Sequence, residues 1–159
     1  KEKDEAKHAL IGAVDFSKLC IKEKERVWVL FIDVYPVNDN GNLFDAAALG
    51  AIAALKNAVF PKYDEADDKV FYEEFTKEKL PMKQFPILTT FAKLNGALFI
   101  DTTKREENVA DARLSIATLE NETISAMQKG GVGTFTADEI MHLYEHAVVL
   151  GSKLRKLLK

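Results

Sequence analysis

The chain has 159 residues, of which 47% are hydrophobic and 30% charged, and its formal net charge is −3. A chain of this length and composition forms one ordinary globular domain or two small ones. The acidic balance argues against binding nucleic acid through overall charge, while leaving a local basic patch open, and the single cysteine, Cys20, excludes an internal disulfide framework and a cysteine-rich zinc site.

The first third of the sequence predicts the end of a helix, a strong strand and a buried helix. Residues 1–13 are charged and then apolar, which indicates a helix that stops near residue 12. Residues 27–35 are almost continuously apolar, as in a strand buried on both faces, and no partner strand precedes them. We therefore expect the rest of that sheet to lie elsewhere. After a turn at Asn40-Gly41, the alanine-rich residues 43–58 predict a helix that is buried almost all round.

The middle of the sequence predicts an acidic connector and then an antiparallel meander. Residues 62–80 are acidic and irregular, which indicates a loop with one short edge strand. Four runs predict strands: residues 87–93, 97–100, 112–119 and 123–128. Asn95-Gly96 and residues 120–122 supply the hairpin turns between them, and a loop at residues 129–133 follows.

The final helix has a well-defined start. Thr136 and Glu139 have the spacing of a capping box, in which each side chain bonds to the backbone amide of the other residue. Phe135 and Ile140 occupy the hydrophobic-staple positions across it. An apolar stripe at helical spacing follows, formed by Ile140, Leu143, Ala147, Leu150, Leu154 and Leu157.

Three motifs resemble metal or phosphate sites, but each lacks a required part. His142 and His146 share a helix face with the spacing of inverted zinc peptidases, yet no third ligand follows, which favours the solvated flank of a packing helix. Residues 38–41 resemble a calcium loop without its first and last ligands, which favours a turn. Residues 129–134 have Lys and Gly in the wrong order for a P-loop, which favours a flexible turn and leaves contact with RNA backbone open. The sequence therefore predicts no metal and no cofactor.

Single side chains offer weaker candidates. Cys20 has no activating partner beyond neighbouring lysines, so we expect a small buried apolar residue. Carboxylates near strand or helix ends are able to hold a metal or act as acid and base, and four acids have that position: Asp33, Asp45, Asp101 and Asp111. Asp45, in the first turn of a helix, also interacts favourably with the helix dipole. Asp101 ends a predicted strand, where it can cap a turn.

Several stretches taken together resemble one protein family. They are residues 13–21, 27–34, 41–46, 51–55, 101–115 and 127–130. The Asn-Leu-Phe-Asp-Ala stretch at residues 42–46, after a strand that contains tryptophan, is the most specific of them. On these residues the chain resembles the RNase PH family, and within it the non-catalytic kind of subunit in an exosome ring. The resemblance is weakest at residues 60–82 and corresponds to the C-terminal part of a family chain.

The resemblance implies an α/β fold in two parts. Residues 1–61 would be the C-terminal portion of the first RNase PH domain, which has the ribosomal protein S5 domain 2-like fold. Residues 62–159 would be the RNase PH C-terminal domain, and the whole would be a two-layer arrangement of sheets and helices. It also implies a cytoplasmic hetero-oligomeric ring, a trimer of heterodimers, that degrades RNA from the 3′ end by phosphorolysis. The implied partners are a catalytic RNase PH-type subunit, RNA-binding cap subunits and RNA, with no membrane.

The phosphate-site positions distinguish the two kinds of subunit. Active members carry hydroxyl side chains and an arginine after the aspartate that starts the alanine-rich helix. Here Asp45 is followed by Ala46, Ala47 and Ala48, whose methyl groups cannot hold a phosphate dianion against its hydration. The spacing of the acidic pair near residues 101–111 also resembles that of inactive subunits. We therefore assign no catalytic residue; the alternative is an active phosphate-dependent 3′-to-5′ exoribonuclease of the same fold.

The resemblance further implies that the inactive subunit completes its neighbour's active site and guides RNA, partly with arginines on the helix before residue 13. This chain has no arginine in that stretch and carries Lys3, Lys7 and His8 instead. These three residues are the candidate RNA contacts.

Overall fold

A computed structural model describes Leu10 and residues 12–158. A 3-10 turn at Phe16–Leu19 is followed by β1 (Cys20–Lys22), β2 (Arg26–Val27), α1 (Leu43–Asn57), β3 (Val59–Asp64), β4 (Lys69–Lys79), β5 (Ile87–Leu94), β6 (Ala97–Ile100), α2 (Lys104–Val109), β7 (Ala112–Thr118), β8 (Ile124–Gly131) and α3 (Ala137–Arg155). The α/β class is confirmed, whereas the helix predicted at residues 1–13 lies almost entirely outside the described residues.

The main sheet has four antiparallel strands in the order β6-β5-β7-β8. The predicted hairpins β5-β6 and β7-β8 are confirmed, but the predicted meander is wrong in one connection, because β7 pairs with β5 rather than with β6. Asn95 and Gly96 have φ angles of 50° and 81°, as the tight hairpin between β5 and β6 requires. The loop predicted at residues 129–133 is corrected in part, because Lys129 and Gly130 pair with Leu114 and Arg113 as the end of β8.

Helices cover both faces of this sheet. Phe91 and Leu114 point toward α3 and pack with its Leu143. Side chains at the alternate positions of the same strands point to the opposite face of the sheet. On that face Leu88 packs with Ala48 of α1. Because both faces are covered, six consecutive residues of β5 are buried, and these include the polar residues Thr89 and Thr90. The same arrangement brings the start of α1 against the sheet.

The final helix starts where the capping box predicts. The Thr136 side chain accepts a hydrogen bond from the Glu139 amide, and the Glu139 carboxylate accepts one from the Thr136 amide. The same carboxylate pairs with Lys93 of β5 at 2.6 Å, which ties the helix start to the sheet. Among the helices of residues 12–158, none has both the length and the apolarity that a membrane span requires.

Helix α1 is buried on one side only, which corrects the expectation of a helix buried almost all round. Its buried residues are Ala48, Ala51, Ile52 and Leu55. Ala46, Gly50 and Ala54 are exposed on the other side. Alanine is compatible with either environment, so an alanine-rich helix gives a weak signal about its exposed face.

Residues 62–80 form most of a long hairpin rather than a loop with one short strand. The 11-residue strand β4 pairs with β3, and residues 65–68 make the turn. Lys62 on β3 pairs with Glu74 on β4 at 2.8 Å, and its ammonium also lies over the Phe71 ring. Charged cross-strand pairs of this kind stabilise a hairpin that has little core contact. Because much of β4 is exposed, it lacks the apolar alternation that would have predicted a strand.

The strand predicted at residues 27–35 is largely absent from the described structure. Only Arg26 and Val27 are in a strand, paired with β1. Trp28 and Leu30 pack against a core cluster formed by Val14, Leu19, Leu55, Phe60 and Leu80, while most of the later residues are exposed. A strand requires a hydrogen-bonding neighbour, and the described residues supply none beyond Trp28, whose amide donates to the Leu19 carbonyl at 2.8 Å.

Cys20 is exposed, which corrects the expectation of a buried apolar residue. It lies in the three-residue strand β1, whose outer side nothing in the described chain covers. Its sulfur has only a weak contact, 3.9 Å from the Arg26 carbonyl oxygen.

Candidate functional site

The candidate site surrounds the start of α1, where two loops approach each other closely. The Lys104 amide donates to the Asn40 carbonyl at 2.9 Å. Gly41 has a φ of 103°, and a side chain there would overlap the backbone at Thr102 and Thr103. Glycine is therefore required in the turn, both for its φ angle and for the space. The turn predicted at residues 38–41 is confirmed, with the Gly41 amide donating to Asp39 at 2.9 Å.

A short helix that sequence reasoning missed provides the opposite side of the site. Helix α2 begins with a capping box formed by Thr103 and Glu106, a spacing that was visible in the sequence. The next residue, Glu107, accepts a hydrogen bond at 2.6 Å from the backbone amide of Asn42, the N-cap residue of α1. Free amides at a helix N-terminus are the groups that bind anions. Here the chain's own carboxylate is already bound at one of them.

Asp45 connects the first turn of α1 to the sheet. Its carboxylate accepts hydrogen bonds from the amide of Thr90 at 2.8 Å and from the hydroxyl of Thr90 at 2.7 Å. That hydroxyl also lies 2.9 Å from the Ser115 hydroxyl. Burial raises the pKa of Asp45 to about 6, the charge of Asp101 adds to the rise, and the bonds from Thr90 and Asn42 oppose it. The carboxylate thus has a structural role between helix and sheet.

The three residues after Asp45 offer no groups for binding phosphate. Ala48 is buried against Leu88, and Ala46 is exposed. The Asn42 side chain donates to Asp101 at 3.1 Å. The carboxylates of Asp45, Asp101 and Glu107 therefore all accept hydrogen bonds from Asn42. A phosphate dianion at this helix start would therefore meet acidic groups and methyl groups.

The other candidate acids lie apart from this cluster. Asp111 accepts from the amide of Asn95 at 2.7 Å and its carbonyl accepts from the amide of Gly133 at 2.8 Å, so it fixes two turns. Asp33 is exposed in the unpaired stretch that follows β2. Of the four predicted acids, the structure brings together only Asp45 and Asp101.

Arg113 is a second residue near the site that sequence reasoning missed. Its guanidinium lies 4.2 Å from the centre of the Phe44 ring, in the first turn of α1. Its side chain also passes Gly130, where an added Cβ would lie 3.2 Å from the Arg113 Nε atom. The available signal was a single charged residue inside a strand that is otherwise uncharged. The arginine supports the helix start by packing on Phe44.

The remaining candidates form no complete site among the described residues. The rings of His142 and His146 are 4.4 Å apart and both residues are exposed, as expected for the flank of a packing helix. No group of three or more histidine, cysteine or acidic side chains within residues 12–158 is placed to hold a metal ion. Lys129 donates to the Gly131 carbonyl at 2.8 Å, within its own strand. The candidate RNA contacts Lys3, Lys7 and His8 lie outside the described residues.

Comparison with known families agrees with this fold. Residues 3–61 match domain 1 of the 3′ exoribonuclease family, and residues 84–148 match domain 2 of the same family. The chain belongs to this family, the RNase PH family.

The relatives that it resembles are exosome proteins. It is 42% identical over 150 residues to the exosome complex component Rrp42 of Methanocella arvoryzae, covering 93% of this chain and 54% of that protein. It is 43% identical over 151 residues to the Rrp42 component of Thermococcus kodakarensis, covering 92% of this chain and 55% of that protein. The chain thus spans about half the length of these curated relatives.

Solved structures show the same fold. A chain of an archaeal exosome core superposes with a TM-score of 0.86 at 31% identity, covering 99% of this chain and 62% of that one. A chain of the Archaeoglobus fulgidus exosome with RNA bound to the active site superposes with a TM-score of 0.84, also at 31% identity, covering 99% of this chain and 60% of that one.

Proposed function

We propose that this chain is a non-catalytic structural subunit of an exosome ring that degrades RNA from the 3′ end by phosphorolysis. In this role it completes and supports the active site of a neighbouring catalytic subunit. The named relatives are exosome components, which supports the assembly. The proposed site of action is the cytoplasm.

One observation carries the non-catalytic assignment. The N-cap amide of α1, where the family's phosphate would bind, is bound by the Glu107 carboxylate at 2.6 Å. The helix begins with Leu43, Phe44 and Asp45 and continues with alanines, and none of these side chains carries a hydroxyl or guanidinium group. Phosphorolysis requires bound phosphate, and this helix start presents negative charge to it.

The proposed partners are those of a ring subunit. They are a catalytic RNase PH-type subunit, arranged with this one as a trimer of heterodimers, RNA-binding cap subunits, and RNA. For contacts with RNA we propose Lys3, Lys7 and His8. We also propose that residues 1–61 belong to the first domain and residues 62–159 to the second, a division supported by the separate family matches at 3–61 and 84–148.

An RNA phosphorolysis assay tests the proposal. The chain is incubated with a 3′-labelled RNA, inorganic phosphate and magnesium, first alone and then with a catalytic RNase PH-type subunit. We expect no nucleoside diphosphate from the chain alone and a higher rate from the mixture than from the catalytic subunit alone. Size-exclusion chromatography of the mixture checks that the two proteins form one complex.

The outcomes separate the alternatives. Nucleoside diphosphates released by the chain alone would establish the alternative, an active exoribonuclease. A mixture without a shared elution peak and without stimulation would contradict the ring role. Replacing phosphate with chloride is the control, because it stops phosphorolysis but leaves contaminating hydrolytic nucleases active.

A further inference from the structure

His142 and His146 lie side by side on the exposed surface of α3. Their ring centres are 4.4 Å apart and their ring planes are tilted by 52°. The contact follows from the spacing, because residues four apart on a helix are neighbours on one face. Both residues are exposed, and within the described part of the chain neither imidazole ring has a hydrogen bond or an ion pair. The ring nitrogens are therefore accessible to a ligand from solution.

The helix holds the two rings in a fixed relation. Leu143 and Ala147 directly follow the two histidines and are 2% and 0% exposed, so the turns that carry the histidines are packed on the sheet. The start of α3 is fixed by its capping box and by the ion pair of Glu139 with Lys93. Two ligands on such a rigid element bind a metal ion at a lower entropic cost than two ligands on a flexible loop.

The separation of the rings fits one coordination geometry better than another. Neutral imidazole is a ligand for divalent zinc, copper and nickel. A metal ion about 2.0–2.1 Å from one nitrogen of each ring, in both ring planes, places the ring centres about 4.5 Å apart at a right angle and about 5.2 Å apart at a tetrahedral angle. The observed separation of 4.4 Å fits the right angle. Right angles between neighbouring ligands are typical of the tetragonal complexes of Cu(II) and Ni(II).

The number of ligands also favours copper and nickel over zinc. No group of three or more histidine, cysteine or acidic side chains within residues 12–158 is placed to hold a metal ion. Zinc sites have four protein ligands when structural and three when catalytic, so two histidines are too few for zinc. For a given set of nitrogen ligands, affinity rises from Mn(II) through Ni(II) to Cu(II). The exposed carboxylates of Asp138 and Glu145, on the same stretch of α3, add negative charge that favours a cation.

We propose that His142 and His146 form a surface binding site for a divalent copper or nickel ion, with water in the remaining coordination positions. The site is independent of the proposed role in an exosome ring. A metal ion that joins two residues one helical turn apart binds the folded helix more tightly than the unfolded chain. Binding therefore also stabilises the fold.

Nickel binding by the untagged 159-residue chain tests the site. Every protein in the test carries Cys20→Ser, because the exposed thiol is itself a metal ligand. Isothermal titration calorimetry with nickel chloride, in a buffer that does not bind metals, is expected to show one ion per chain. We expect His142→Gln and His146→Gln each to weaken binding by at least about tenfold, because one imidazole alone does not chelate. Nickel should raise the midpoint of thermal unfolding of the parent and not of these variants.

Two control variants separate this pair from histidine content in general. His8→Gln removes the third histidine of the chain and should leave nickel binding unchanged. Met141→His/His142→Gln keeps the number of histidines but places the pair five residues apart, off a common face, and should bind as weakly as His142→Gln. Met141 is 58% exposed, so this variant should fold normally, which circular dichroism checks.

Three results would overturn the proposal. They are the absence of nickel binding by the parent, a loss of affinity in His8→Gln equal to that in His142→Gln, and undiminished binding by the variant with five-residue spacing. The first would mean that the rings do not converge on an ion. The second and third would mean that nickel binds through single histidines rather than through a chelating pair.

Discussion

Asp45 and Thr90 join α1 to β5 of the main sheet through a pair of hydrogen bonds. The Asp45 carboxylate, in the first turn of α1, accepts from the Thr90 amide at 2.8 Å and from the Thr90 hydroxyl at 2.7 Å. This partly buried carboxylate retains a proton in the folded chain to a higher pH than in the unfolded chain, because burial raises its pKa to about 6.

The raised pKa of Asp45 predicts a pH-dependent stability. Between the ordinary pKa of 3.8 and about 6, the folded state binds more protons than the unfolded state, so the free energy of unfolding falls as pH rises through this range. Asp45→Asn removes this fall in the free energy of unfolding, which is at most about 3 kcal/mol. Urea unfolding at pH 4, 5, 6 and 7 measures the slope. Asp33→Asn, at an exposed acid, is the control and leaves the slope intact, and an unchanged slope in Asp45→Asn would refute the prediction.

Removing the Glu107 carboxylate leaves the Asn42 amide without its partner. We expect Glu107→Ala to lower the free energy of unfolding by about 1–2 kcal/mol, the cost of an unsatisfied, partly buried donor. Glu145→Ala, at an exposed position on α3, changes stability by less than about 0.5 kcal/mol. Thermal unfolding followed by circular dichroism compares the two.

The same Glu107 variant probes the phosphate position. We expect no phosphate binding by calorimetry in the variant, because Ala46 and Ala47 still provide no hydroxyl or guanidinium. Measurable phosphate binding by the variant would mean that the Glu107 carboxylate alone prevents phosphate from binding at the start of α1.

Gly151 is required where α3 crosses β7. A Cβ atom at this position would lie 2.5 Å from the hydroxyl of Thr118, which is fully buried. Alanine is more favourable than glycine inside a helix by about 1 kcal/mol. We expect the cost of the steric overlap with Thr118 to exceed this gain, so that Gly151→Ala destabilises the chain by about 1–3 kcal/mol. Urea unfolding measures the change.

Gly50 provides the matched control for Gly151. It also lies inside a helix, α1, but a Cβ atom there meets nothing within 4 Å. Gly50→Ala should therefore stabilise the isolated chain by up to about 1 kcal/mol. If both alanine variants changed stability in the same direction, packing at Thr118 would not be the determining factor.

Leu143 anchors α3 on the sheet. It is buried with Phe91, Leu114 and Ala147, so we expect Leu143→Ala to cost about 2–5 kcal/mol by leaving a cavity. Met141, on the same helix, is 58% exposed, and Met141→Ala should cost less than about 1 kcal/mol. Equal losses of stability in the two variants would contradict the observed packing.

The sequence-based predictions were accurate where the interactions that determine the structure are between residues close together in the sequence. The capping box of Thr136 and Glu139 lies within four residues, and α3 begins where it predicts. The turn at Asn95-Gly96 is equally local, and the strands on either side of it were placed within one residue of their observed ends. The long strand β4 was missed because it is largely exposed and carries no apolar alternation.

Residues 27–35 were predicted to form a strand that is largely absent from the described structure. Their composition predicts a central strand, and composition is a property of the segment alone. A strand also requires neighbours, and the described part of this chain provides none beyond Trp28. The exposed Cys20 has the same cause, because burial depends on a layer that the short strand β1 does not have.

The sequence by itself determined that α1 would start near Asp45 and that its first turn would contain methyl groups instead of phosphate-binding side chains, because both are read from consecutive residues. Only the tertiary structure decided that Glu107 bonds to the Asn42 amide and that Thr90 bonds to Asp45. These partners are 65 and 45 residues apart in the chain. Their meeting depends on how the sheet packs against α1, and no local pattern of residues specifies that packing.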